Sequence, residues 1–125
     1  MPGAEWFIDC ELNYVEQLLR AKDITPHKSA IVSYSESHGK KTLTWSELSQ
    51  QVSSVADHFK KMGVKKGDRI VAVLPNTTAA LIAFLASASL GAIWSICAPD
   101  MGHVAILDRF KQIEPKILIA QDGYI

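Results

Sequence analysis

Charge is missing from the middle of this sequence. Between Arg69 and Asp100, thirty residues (IVAVLPNTTAALIAFLASASLGAIWSICAP) carry no ionisable side chain other than Cys97. Such a stretch either crosses a membrane or forms the buried centre of something larger. About eighteen apolar residues is the lower limit for a spanning helix, and residues 79 to 96 are free of charge over that length. Ala and Ser fill much of the run, however, Gly91 interrupts it, and Pro75 and Asn76 break its start. No cluster of Lys or Arg flanks it as topology signals would. A membrane anchor is therefore disfavoured, and the stretch reads as a buried core.

Other absences narrow the function. Thirteen basic and thirteen acidic residues cancel, so nothing favours a nucleic-acid partner or an anionic membrane surface. Cysteine is scarce. Cys10 and Cys97 lie far apart, and residues 1 to 8 lack the basic start of a signal peptide, which predicts reduced thiols in a cytoplasmic protein. Glycine never clusters. Gly39-Lys40-Lys41-Thr42 resembles the end of a phosphate-binding loop, but Tyr34 stands where that loop needs its first glycine, so the segment reads as a solvated turn. A dinucleotide site needs G-x-G-x-x-G at the first strand-to-helix turn, where this chain has Leu-Pro-Asn-Thr-Thr. His27, His38, His58 and His103 show no metal spacing. Cys97, Asp100 and His103 could meet on one loop, although a buried Cys97 and a surface His103 is the plainer reading.

What is present parses as alternating strands and helices. Ile70 to Leu74 is a short aliphatic run, a strand buried on both faces. Pro75-Asn76 marks a turn, with Asn76 placed to cap a helix from about Thr77 to Leu90. Gly91 supplies a left-handed end to that helix. Ala92 to Cys97 forms the next strand, stopped by Pro99. A stripe of Ile106, Leu107, Phe110 and Ile113 marks another helix ending before Pro115, and Lys116 to Ala120 a third strand. Strands joined by single helices must be parallel, so residues 69 to 120 give a β-α-β-α-β unit of the α/β class.

The first half adds two helices and one or two extended segments. Thr44 and Glu47 form a capping box ahead of Trp45, Leu48, Val52, Val55, Phe59 and Met62, a continuous apolar face closed by Gly63. Leu12, Val15, Leu18 and Leu19 predict an earlier helix, and Ala30 to Tyr34 a strand before a polar turn at Ser35 to Lys41. Trp6, Trp45 and Trp94 sit in apolar patterns that predict packing. Lys60, Lys61, Lys65, Lys66 and Arg69 form a solvated basic patch around a helix end. At 125 residues the chain has room for one domain, and the residues alone reveal no complete active site.

Seven separated blocks carry a resemblance. They are Trp6-Phe7, Leu12-Asn13-Tyr14, Gly63-Val64 with Gly67-Asp68-Arg69, Leu74-Pro75-Asn76, Leu90-Gly91-Ala92-Ile93-Trp94-Ser95, Pro99-Asp100-Met101-Gly102 and Leu107-Asp108-Arg109-Phe110. In order and spacing they resemble the N-terminal part of acyl-CoA synthetases of the AMP-forming adenylating superfamily. Residues 91 to 110 are most similar to its acetoacetyl-CoA synthetase branch.

The resemblance implies a ligase that joins ATP and a short β-keto acid into an acyl-adenylate, from which the thiol of coenzyme A displaces AMP. It implies ATP, coenzyme A and Mg2+ as cofactors of a longer parent, small-molecule substrates, and no nucleic-acid or membrane partner. Residues 1–28 would be the N-terminal helical segment, and residues 29–125 the first part of an AMP-binding domain, cut before its phosphate loop. A chain so placed is expected to be inactive by itself, with no catalytic residue and no metal ligand, and to self-associate through an exposed apolar surface. The resemblance places Ala98, Pro99, Asp100 and Gly102 beside the tunnel for the pantetheine arm of coenzyme A. A structural role is compatible with this: Pro99 ends a strand and Asp100 caps the next helix. Arg109 would be either a phosphate ligand or a salt-bridge partner of Asp108. A stand-alone interaction or coenzyme A-binding module is the alternative function.

Overall fold

The computed structural model describes residues 2–36 and 39–123. Its order is α1 (Tyr14–Leu19), α2 (Ala21–Ile24), β1 (Ser29–Ser35), β2 (Gly39–Thr44), α3 (Trp45–Lys61), β3 (Arg69–Val73), α4 (Thr78–Ser89), β4 (Ile93–Cys97), a 3-10 turn (Pro99–Met101), α5 (His103–Ile113) and β5 (Ile117–Ala120). β1 and β2 make an antiparallel hairpin. β3, β4 and β5 make the predicted parallel sheet in the order β4-β3-β5.

The central strand carries the core. Ile70, Val71 and Ala72 have no solvent exposure, as a strand covered on both faces requires. The chain leaves β3 to one side for β4 and returns across it to β5. Right-handed crossovers then put α4 and α5 on opposite faces of the sheet. On the α4 face, Ile70 joins Leu48, Val52, Phe59, Ile82, Leu85 and Val15 in one buried cluster. No helix among the described residues is long and apolar enough to cross a membrane.

Local chemistry explains the element ends. Thr44 and Glu47 form the reciprocal capping box: the Glu47 N–H donates to the Thr44 hydroxyl, and the Thr44 N–H to the Glu47 carboxylate at 2.8 Å. These bonds lower the Glu47 pKa, the backbone N–H of Thr44 contributing most. Gly91, at φ 67°, turns the chain from α4 into β4, and its carbonyl accepts from the Gly67 N–H.

Several expectations are corrected. The Ser35 to Lys41 turn is shorter than its polarity suggests, because Gly39-Lys40-Lys41-Thr42 belongs to β2 and pairs with Val32 to Ser35; its Ser37 and His38 lie outside the described residues. α4 is capped by Thr77 rather than Asn76, without a side-chain bond. Met62 is exposed because it follows the last turn of α3. Trp6 is 73% exposed, whereas Trp45 and Trp94 pack against the core.

Candidate functional site

Ligands of open parallel sheets bind beyond the carboxyl ends of the strands, where adjacent strands send their connections to opposite faces. β3 and β4 are such a pair. Their exits, Leu74-Pro75-Asn76 and Ala98 to Gly102, lie side by side: the Leu74 N–H donates to the Cys97 carbonyl at 3.3 Å. On the other side the Gln121 N–H donates to the Val73 carbonyl at 3.4 Å. The carboxyl edge is thus made of three neighbouring loops, with the crevice between the first two.

The loop after β4 is built by its own sequence. Cys97 is 1% exposed and anchors the strand end as a small apolar group. Pro99 occupies the first position of the 3-10 turn, where its missing N–H is harmless. The Met101 N–H closes the turn on the Ala98 carbonyl at 3.2 Å. Gly102 follows at φ 76° and ψ 144°, a conformation that side-chain-bearing residues avoid. A Cβ on Gly102 would meet no atom within 4 Å, so backbone conformation rather than crowding demands glycine there.

The structure keeps four of the five candidate residues together and separates the fifth. Ala98, Pro99, Asp100 and Gly102 form the loop itself, with Ala98, Asp100 and Gly102 exposed and Pro99 half-buried. Asp100 does not cap α5; the N-cap position belongs to Gly102, which has no side chain to offer. Arg109 sits beyond the first turn of α5 and is exposed. It makes no ion pair with Asp108, whose carboxylate instead accepts from Gln112 Nε2 at 3.4 Å. An open groove beside the loop is lined by Met101, Gly102, His103, Val104, Ala105 and Asp108. Of these, only Gly102 was singled out from sequence for binding. Val104 and Asp108, four apart on one helix face, carry the spacing that could have indicated the rest.

Among the described residues, no three His, Cys, Asp or Glu side chains could hold a metal ion, so Cys97, Asp100 and His103 do not form a metal site. The most heavily bonded charged cluster is at the opposite, amino edge of the sheet. There the Asp68 carboxylate accepts from Lys116 Nζ at 2.7 Å and from the Lys65 N–H at 2.7 Å. These bonds, Lys116 first, hold its carboxyl below the usual aspartate range. Lys116 also donates to the Gly63 carbonyl at 2.5 Å. This cluster ties β5 to the loop before β3, a scaffold role.

A family model described as AMP-binding enzyme matches residues 19–124. The chain belongs to this family. It is 44% identical over 124 residues to an acetoacetyl-CoA synthetase of Mus musculus, covering 97% of this chain and 18% of that protein. An acetoacetyl-coenzyme A synthetase of Rhizobium meliloti (strain 1021) is 41% identical, with 99% and 19% covered. The solved structure of an acetoacetyl-CoA synthetase from Streptomyces lividans superposes with a TM-score of 0.93 at 45% identity, over 100% of this chain and 19% of that one. The chain therefore spans less than a fifth of the length of these AMP-binding relatives.

Proposed function

We infer that this chain is part of an AMP-forming acid–thiol ligase that activates acetoacetate, or a similar short acid, as an acyl-adenylate and transfers it to coenzyme A. The observation that carries this reading is 44% identity to an acetoacetyl-CoA synthetase across 97% of the chain. Residues 1–28 are the N-terminal helical segment of that ligase, and 29–125 the first part of its AMP-binding domain. Its setting is the cytoplasm, and it has no nucleic-acid partner.

The residues present do not fit ATP or Mg2+ by themselves. There is no glycine-rich phosphate loop in the sequence and no acidic cluster that could hold a metal among the described residues. No adenylation step is assigned to them, and the chain alone is inactive.

Coenzyme A suits the carboxyl-edge loop better. Its pantetheine arm is narrow and amide-bearing, and a groove walled by Met101, Val104 and Ala105 with Asp108 alongside offers apolar contact and an acceptor. Coenzyme A would supply the attacking thiol. Gly102 leaves the groove wall without a side chain, while Asp100 offers an exposed carboxylate to an amide N–H of the arm. Substituting Asp100→Ala in the full-length ligase is expected to raise KM for coenzyme A several-fold while leaving KM for ATP in place. An unaltered KM for coenzyme A would contradict the loop's role.

Exposure supports a larger whole. Ile93, Val104, Leu107 and Leu118 are each more than half exposed, and the 125-residue chain should self-associate through such surface. Light scattering at high concentration is expected to show oligomers; a strictly monomeric species would count against it.

A further inference from the structure

The N-terminal segment is held at its end by backbone bonds, the Pro26 and Lys28 carbonyls accepting from the Ser46 and Trp45 N–H groups at 3.1 Å, but upstream of them its hydrogen bonding to the body of the fold rests on one side chain. Among the described residues, the hydrogen bonds that link residues 2–25 to anything beyond residue 28 are the two made by Asn13 Nδ2, to the Ala88 carbonyl at 3.1 Å and the Ser89 carbonyl at 3.2 Å. The same side chain caps α1, its Oδ1 accepting from the Val15 N–H at 2.9 Å. One amide thus bonds at two helix ends, the start of α1 and the finish of α4, where the Ala88 carbonyl also accepts from the Gly91 N–H and the last turn has no basic residue.

Apolar attachment rests on few residues. Val15 is the only buried residue of α1, and α2 has none. Leu18 and Leu19 are half-buried against the core, and the Tyr14 and Phe84 rings meet at 6.4 Å. Upstream, Trp6, Phe7, Ile8 and Leu12 are 64 to 82% exposed. The two short helices are too brief to persist unsupported.

We propose that residues 13–24 form a strap latched onto α4 by Asn13, which opens as a unit while the β3 core stays folded. Local opening of weakly attached segments below the global unfolding free energy is general behaviour. Opening uncovers the side of α4 that carries Phe84. It also removes the Asn13 bonds from the Ala88 and Ser89 carbonyls, Ala88 keeping its bond from the Gly91 N–H.

Asn13→Asp separates the two roles of the side chain. The carboxylate can still accept from the Val15 N–H, but it cannot donate to Ala88 and Ser89, and it faces their carbonyl oxygens. Hydrogen exchange on the 125-residue chain should show amides 14–24 exchanging at least about tenfold faster than those of Ile70 to Ala72. Asn13→Asp should accelerate residues 14–24 by a further factor of about ten, with faster trypsin cleavage after Arg20 and Lys22 and unchanged β3 exchange. Wild-type exchange of residues 14–24 in step with β3, or cleavage of Asn13→Asp at the wild-type rate, would overturn the proposal. Should the variant not fold, the wild-type comparison alone decides.

Discussion

The two faces of the parallel sheet are covered very differently. On one, α3 and α4 pack over Ile70, with Leu48, Val52 and Phe59 from α3 and Ile82 and Leu85 from α4 all buried. On the other, α5 has no buried residue. Val71 on the central strand is fully enclosed, but Ile93 and Leu118 on the flanking strands are 54% and 59% exposed. Side chains alternate along strands, and the register places Val71, Leu118 and Ile93 on one face. A face finished within these residues thus lies back to back with one left open. Under the proposed function, the open side is the one that further parts of the ligase would cover.

The sharpest test of that contrast is a matched pair of truncations. Leu85→Ala, at a position 1% exposed, should cost about 3 kcal/mol in urea unfolding, the usual loss for an enclosed leucine. Leu107→Ala on α5, at 53% exposure, should cost about 0.5 kcal/mol or less. Comparable losses would mean that α5 is packed as tightly as α4. Thr44→Ala should cost about 1 kcal/mol by removing the α3 capping box on the finished face; unchanged thermal or urea unfolding would show the cap to be silent.

The smallest effect concerns Lys116 and Asp68. The folded-state pKa of Asp68 is lowered, so its contribution is fully present above the ordinary aspartate value of 3.8 and is lost as pH falls through the lowered folded value. Lys116→Met should therefore lower stability slightly at neutral pH, and the difference from wild type should close in strong acid. Parallel pH–stability curves at low pH would contradict this. Both partners are solvent-accessible, so added salt should also shrink the difference.

Sequence legibility followed the same division. The β3-α4-β4-α5-β5 unit could be read because each piece carries its own boundary: Pro75 after β3, Gly91 after α4, Pro99 after β4 and Pro115 after α5. Capping by Thr44 and Glu47 was equally local and equally legible. β2 was hidden because its first four residues are exposed, Gly39 followed by three polar side chains, so no alternation marks it; pairing with β1 makes it a strand. Capping of α4 was misplaced by one residue, since both Asn76 and Thr77 are good cap types and the backbone chose Thr77. At the candidate site, Asp100 looked like a cap because the sequence does not reveal that Gly102 would take that position. The exposure of Trp6 was beyond a single sequence, because its apolar neighbours Phe7 and Ile8 are exposed with it.

The most direct test of the central claim, that these residues are one portion of an acid–thiol ligase, is the mass of the native polypeptide in its source cells. An antibody raised against the 125 residues should reveal a band several times larger than 13.7 kDa. A band near 13.7 kDa would contradict the claim and leave a free-standing interaction or coenzyme A-binding module in its place.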